Sequence, residues 1–253
     1  MPKLSLAIIA LNEEVNLART LSAAGGFADE VIVMDSGSID RTCAVAESFG
    51  ARVIHQPWLG YGAQKNKLFA ECQGEWILSL DADEALTPEL KAAIRQVISG
   101  PSEISGYILR RRMVYMGKVL RYASCDQVLR LVKKSANPIW DTSLVHEQLH
   151  ITGKVAKLNP ALLHYSYANF TEHFEVCIKY PRLSAQQKAQ KGERFSLMKL
   201  LFRPPVAFFK SYIIKRGFLD GLPGFVLAMM WFLGTWMKYL YLWEITQEVS
   251  QEA

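Results

Sequence analysis

Cysteine is scarce in this sequence: Cys43, Cys72, Cys125 and Cys177 are the only four in 253 residues, and none forms a CxxC pair. That spacing excludes a zinc ribbon and a disulfide framework and points to a reducing compartment. Nor is a cleavable leader read in the first residues. Met1-Pro2-Lys3-Leu4 runs directly into a strand-like pattern, without a basic start, an apolar stretch and a cleavage site, so the chain is expected to stay in the cytosol. Internal repeats and low-complexity tracts are absent too. The longest uncharged stretch, Gly221–Met237, has 17 residues and contains Pro223, Gly224 and Gly234, short of the roughly 20 apolar residues that a spanning helix needs.

What is present is a globular composition at the apolar end, 50% hydrophobic and 11% aromatic, in a chain long enough to bury a core without staples. The net charge of +5 is unevenly placed. Residues 1–100 carry 8 Lys+Arg against 13 Asp+Glu, and residues 101–253 carry 21 against 11. An acidic first part suits metal handling and a basic second part suits anionic partners, unless both simply follow solvated helices.

The first hundred residues alternate in period. Leu4–Ala10, Val31–Met34, Ala51–His55 and Trp76–Leu80 read as strands. Asn12–Ala24, Asp40–Phe49 (opened by Ser38), Gln64–Cys72 and Thr87–Ser99 read as helices, the last with Thr87 at the cap and Pro88 at the first helical position. This alternation predicts an α/β fold, a Rossmann-like, mostly parallel sheet flanked by helices, with ligands beyond the carboxyl ends of the strands. Strands at Tyr107–Tyr115 and Val128–Val132 and a helix over Thr171–Lys191 follow. The expected domains are 1–167, with a nucleotide-binding half (1–100) and an acceptor half (101–167), and a helical region, 168–253.

Polar residues collect at the expected strand ends. Asn12-Glu13-Glu14 follows the first strand, Asp35-Ser36-Gly37-Ser38 the second, and Asp81-Ala82-Asp83 the fourth. Two carboxylates one residue apart at a strand tip can face one cleft and hold Mg²⁺ or Mn²⁺, hard cations that bridge phosphates. Acidic turns are common, so the position of the pair gives it its weight. Asp35 can accept an N–H from a base such as uracil, while Asp40 suits a helix N-terminus. Arg110-Arg111-Arg112 could meet acceptor phosphates, although a run on one strand puts at least one of them in solvent; Arg130 is a similar case.

From Arg194 to Leu219 there are six basic residues and no acidic one, interleaved with Phe195, Leu200, Leu201, Phe202, Phe208 and Phe209. Together with the apolar stretch after it, and with Tyr239, Tyr241 and Trp243, this reads as a segment lying in or dipping into an anionic membrane surface. The competing reading is a buried C-terminal helical hairpin.

The ordered series Ala10-Leu11-Asn12-Glu13-Glu14, Asp35–Thr42 (DSGSIDRT), Gly62-Ala63-Gln64-Lys65-Asn66 and Leu80–Glu84 (LDADE) resembles glycosyltransferase family 2. The later Val145-His146-Glu147, Leu163-His164-Tyr165 and Arg216–Gly221 (RGFLDG) resemble the lipopolysaccharide-core β-1,4-glucosyltransferases. The resemblance implies a GT-A fold and an inverting, metal-dependent hexosyltransferase. UDP-glucose would be the donor and the lipopolysaccharide core the membrane-borne acceptor, on the cytoplasmic face of the inner membrane. It implies that Ala10, Asn12, Glu14, Asp35, Lys65, Asn66, Asp81 and Ala82 surround the sugar nucleotide, that Asp83 and His164 take the metal, and that Glu147 is the catalytic base. Asp126 and Asp141 are reserves for that role, and His146 could orient Glu147. A polyprenyl phosphate acceptor and a non-catalytic sugar-nucleotide binder are the alternatives. A nucleotidyltransferase would carry a Gly-rich basic loop where Asn12-Glu13-Glu14 stands, and the basic residues accompany an uncharged stretch rather than a polar groove, against nucleic acid.

Overall fold

The structure is a computed structural model that describes residues 3–100, 102–141 and 147–251, with side chains as far as residue 247. The chain divides into two compact units, residues 1–112 with 126–165, and residues 113–125 with 166–253. Residues 113–125, within the acceptor half expected from the sequence, thus cluster with the C-terminal helices.

In the first unit the elements run β1 (Leu4–Ala10), α1 (Glu14–Ala24), β2 (Glu30–Asp35), α2 (Thr42–Ser48), β3 (Arg52–His55), α3 (Tyr61–Glu71) and β4 (Trp76–Asp81). The strands lie side by side in the order β3-β2-β1-β4, all parallel. Next along the chain come β5 (Glu84–Leu86), α4 (Pro88–Ser99), β6 (Ile104–Tyr115), β7 (Lys118–Val119, which belongs to the second unit), β8 (Cys125–Lys133), β9 (Ile139–Trp140), β10 (Leu149–His150) and β11 (Lys154–Tyr167). The parallel character stops at β4. β8 pairs with it antiparallel, and the sheet continues β8-β6-β11-β5. A short β9–β10 hairpin stands apart.

Both faces of the parallel half are covered, which explains why its strands are nearly continuous apolar runs. Leu4, Leu6 and Ile8 of β1 face Leu17 and Leu21 of α1 and Leu90 and Ile94 of α4. Ala7, with Ile32, Met34 and Ile77, packs on Leu68 and Phe69 of α3 and on Trp140. Thr87 caps α4 as expected, its hydroxyl accepting from the Leu90 N–H at 3.2 Å. Ser38 does not cap α2. That helix starts at Thr42, whose N–H bonds to Asp40 Oδ1 at 2.9 Å, and Ser38 Oγ accepts instead from the Asn12 N–H at 2.8 Å. The competition is local: a hydroxyl two residues into a turn can serve any nearby N–H.

The second unit holds α5 (Phe170–Gln190), α6 (Leu197–Phe209) and α7 (Leu222–Gln251), with a π-helical turn at Lys210–Ile214 and a 3₁₀ turn at Gly217–Asp220. α7 packs along α5 and α6, through Ala185, Tyr239 and Leu242 among others. The Arg216–Gly221 motif has a structural task here. Asp220 accepts the backbone N–H groups of Arg121, Tyr122 and Ala123 at 2.8, 3.0 and 2.8 Å. Gly224 approaches so closely that a Cβ there would lie 1.9 Å from the Gly217 carbonyl oxygen.

Candidate active site

Strand register gathers the polar residues. Ala10 pairs with Asp35 across β1–β2, and Ile9 pairs with Asp81 across β1–β4, so the loops after all three strands leave one edge of the sheet. The first two loops are laced together. Asn12, in the left-handed region at φ 55°, accepts the Ile39 N–H on its side-chain oxygen at 2.9 Å, and Glu14 accepts the Arg41 N–H at 3.0 Å. The Ala10 carbonyl accepts from Ser36 and the Ala82 carbonyl from the Thr20 hydroxyl. Asp35 is buried at 1% exposure and accepts from the N–H groups of Gly37 and Ser38. Burial opposes its charge, but those bonds prevail and hold the carboxyl below the usual carboxylate range.

Asp35, Cys43 and His55 bring three possible ligand atoms within 4.8 Å of one another. Burial and the neighbouring Asp35 push the Cys43 thiol up, away from the thiolate that a metal requires. This grouping is better explained as a hydrogen-bonded support for the β2 turn.

The carboxylates of Asp81 and Asp83 have different surroundings. Asp81 is fully engaged: Oδ1 meets Lys65 Nζ at 3.1 Å, Oδ2 contacts Arg130, and Arg111 stands 3.9 Å away. Burial resists ionisation, yet the three cations, Arg130 foremost, drive the Asp81 carboxyl far below its ordinary range. Asp83 takes no part in this cluster. Its Oδ2 lies 3.0 Å from His164 Nε2, and its Oδ1 is buried with no hydrogen-bond partner among the described residues. His164 arrives through the antiparallel β5–β11 register, which pairs it with Glu84, and the next residue, Tyr165, donates its N–H to the Asp83 carbonyl at 2.9 Å. Although burial disfavours the imidazolium, Asp83 raises the His164 pKa.

An orphaned buried carboxylate oxygen beside an imidazole is costly in an isolated protein and is the donor set that a divalent cation of the Mg²⁺/Mn²⁺ type completes. Asp83 and His164 therefore fit such an ion.

Lys65 is 4% exposed and joins two carboxylates, bonding Glu147 at 2.9 Å as well as Asp81, with its ammonium 4.4 Å from the Trp140 ring centroid. Asn66 does not point into open space. Its amide nitrogen donates to the Trp140 carbonyl at 2.9 Å and its oxygen accepts the Trp140 N–H at 2.8 Å. Asn66, expected near the sugar nucleotide, thus clamps the β9–β10 hairpin, whose two strands flank the segment bearing Glu147. Of the reserve bases, Asp126 is 52% exposed and pairs with Arg111 at 3.4 Å, and Asp141 faces His150 at 3.3 Å. His146 lies outside the described residues.

Four participants, Glu84, Arg130, Trp140 and Arg111, were not expected in the roles they take. Glu84, wholly buried, accepts the Asp81 N–H at 3.0 Å and pairs with Arg111 at 3.1 Å and Arg130 at 2.8 Å. Arg130 itself is 4% exposed, and Trp140 lies beside Lys65. Arg111 and Arg130, read as phosphate contacts or solvent-facing cations, are instead ion-paired beneath Asp81. Glu84 closes the LDADE motif, and only its cross-strand partner reveals that it points inward.

The chain belongs to glycosyl transferase family 2, whose sequence model matches residues 5–130, from β1 to the buried Arg130. It is thus a glycosyltransferase, built on a mixed α/β sheet flanked by helices and followed by a C-terminal apolar helix. Among its relatives, the lipopolysaccharide core biosynthesis glycosyltransferase LpsC of Rhizobium meliloti is 31% identical over 90% of this chain and 88% of that one. An uncharacterized glycosyltransferase of Rickettsia typhi is 30% identical over 97% and 88%. A more distant likeness is the structure of glucosyl-3-phosphoglycerate synthase from Mycobacterium tuberculosis, in complex with Mn²⁺ and UDP-glucose. It is 17% identical over 77% of this chain and 81% of that one, with a TM-score of 0.47.

Proposed function

We propose that this chain is an inverting hexosyltransferase that takes glucose from UDP-glucose and adds it to a membrane-borne acceptor, the inner core of lipopolysaccharide. The buried Oδ1 of Asp83, without a partner among the described residues and beside His164, carries the reading, because it asks for a cation where a sugar nucleotide would present its diphosphate. The relation to LpsC supports the acceptor class.

Asp35 would accept the N–H of the base, and the laced loops of Asn12 and Glu14 would line the nucleotide. Asp81 is held by Lys65 and Arg130, which suits a fixed contact to the ribose better than metal ligation. Glu147, held by Lys65, would take the proton of the acceptor hydroxyl as it attacks the anomeric carbon. The leaving diphosphate departs from the opposite face, so an α-linked donor yields a β-linked product. Mg²⁺ or Mn²⁺, when bound by Asp83 and His164, supplies charge neutralisation at that diphosphate.

The test is product mass after incubation with a panel of sugar nucleotides, either cation and truncated core acceptors. Asp83→Ala should lose at least about 100-fold in turnover, the scale of removing an electrostatic stabiliser. It should also lose the rise in melting temperature that Mn²⁺ gives the wild type. Glu147→Gln should lose about 10²- to 10⁴-fold in kcat while still binding UDP. Transfer from no UDP-sugar, with UDP binding intact, defeats the enzyme reading, and unchanged turnover in Asp83→Ala removes that residue from the site.

A further inference from the structure

The second unit contains a helix with three distinct faces. Pro204 and Ser211 are buried, and with Leu200 they mark the side of α6 and its π-helical extension that packs on the unit. On another side Met198, Leu201, Phe202, Val206, Phe209 and Ile213 are 50–63% exposed. Their spacing of three and four residues puts them in one continuous stripe. Leu197 and Ile214 extend it, the latter 74% exposed. Lys199, Arg203 and Lys210 recur at helical spacing along one flank of this stripe, and Lys215 and Arg216 follow at its end. Of these five cations only Lys199 has an acidic partner among the described residues, Glu193 at 3.5 Å. Lys210, Lys215 and Arg216 are exposed.

A soluble surface rarely carries so many large apolar side chains in one row. A stripe of Leu, Met, Phe and Ile bordered by cations is what the boundary between headgroups and acyl chains accommodates. We infer that α6, with its π-helical extension, lies in the plane of an anionic membrane, with the Met198–Ile213 stripe among the acyl chains and Arg203, Lys210 and Lys215 on lipid phosphates. Charge complementarity selects a lipid surface over a second copy of the chain: two copies joined through this face would bring their uncompensated cations together.

The uncharged run that opens α7 is not the inserting element. By length and composition Leu222–Gln247 could cross a membrane. Yet α7 packs along α5, where Glu175, Lys179 and Arg182 are exposed to solvent. A spanning α7 would carry these charges, and its own Lys238, into hydrocarbon. The inference deepens the reading of a membrane-borne acceptor and rests on it.

Its test is co-sedimentation of the full-length protein with vesicles of phosphatidylcholine containing about one third phosphatidylglycerol. The wild type should bind, and binding should weaken as salt rises. Phe202→Ser with Phe209→Ser should abolish it. Arg203→Glu with Lys210→Glu should weaken it by more than about 10-fold, since each surface cation is worth on the order of fivefold. Trp231→Ser, on the exposed side of α7, should bind like the wild type. Circular dichroism and UDP binding establish that each variant is folded. Equal sedimentation of all variants, or release by Trp231→Ser alone, overturns the assignment. So does a wild type that ignores vesicles but elutes as a dimer that the Phe202/Phe209 variant dissociates. If the variants behave as expected while no core acceptor is glycosylated, the acceptor reading fails and the membrane face stands.

Discussion

Positive charge is used in opposite ways in the two units. Beneath the strand ends of the first, Lys65 and Arg130 are each 4% exposed and meet carboxylates and the Trp140 ring. Along α6 and its extension in the second, Lys210 stands in solvent beside exposed Phe209, about two turns beyond exposed Phe202. Buried cations cannot be idle, because leaving one unpaired in low dielectric is prohibitive, so they fix geometry. Exposed cations cost little in isolation and remain available to a partner. Net charge alone would have merged the two populations.

The contrast can be broken most severely at Arg130. Arg130→Met leaves Glu84 and Asp81 with less compensation in a buried setting and should cost about 3–5 kcal/mol in urea unfolding. A loss below about 1 kcal/mol, the scale of an exposed pair, would mean that the network is solvated. The clamp on Trp140 comes next. Asn66→Ala strands a buried N–H and C=O and should cost about 1–3 kcal/mol. Its kcat should fall further than its affinity for UDP, because the clamped hairpin flanks Glu147; equal loss in both would make Asn66 a nucleotide contact after all.

The smallest effect sharpens the comparison from the second unit, where His173 is buried against Tyr115 and stacked on Tyr167. Burial lowers its pKa to about 4. An unfolded histidine titrates near 6.5, so between those values the unfolded chain binds more protons and stability falls as pH drops. With partial solvent access the loss should be about 1–2 kcal/mol, complete near pH 4 and absent above about pH 7. His173→Gln should flatten that part of the melting-temperature profile, and an unchanged slope would assign the pH dependence elsewhere.

Much of this architecture was legible in the sequence, for reasons that differ by element. The parallel half could be read because buried strands and amphipathic helices alternate there with short connections, and Thr87-Pro88 marks a helix start by itself. Candidate residues Asp35, Asp81 and Asp83 were visible because they terminate apolar runs. The fate of their side chains was not visible. That Asp81 is locked by Arg130 depends on β4 pairing with β8 some fifty residues away, and no local pattern encodes that register. The two roles available to Asn66 were equally open, because an amide that binds a ligand and one that clamps a backbone have the same sequence signature. In the tail, the basic and apolar residues of Arg194–Leu219 were legible, but which of them share an exposed face was not: Leu200 and Phe208 are half-buried, whereas Leu201 and Phe209 are exposed.

The three N–H groups gathered by Asp220 affect how the molecule is made and cut. The 121–123 turn is synthesised long before the aspartate that organises it, so Tyr115, Leu120 and Ala123 can meet Leu227 only once the last helix has emerged. A chain cut short before Asp220 would leave that apolar cluster uncovered and that turn without its acceptor. Its behaviour would reflect misfolding rather than lost anchoring, so the tail is better dissected by exchanging side chains than by removing chain.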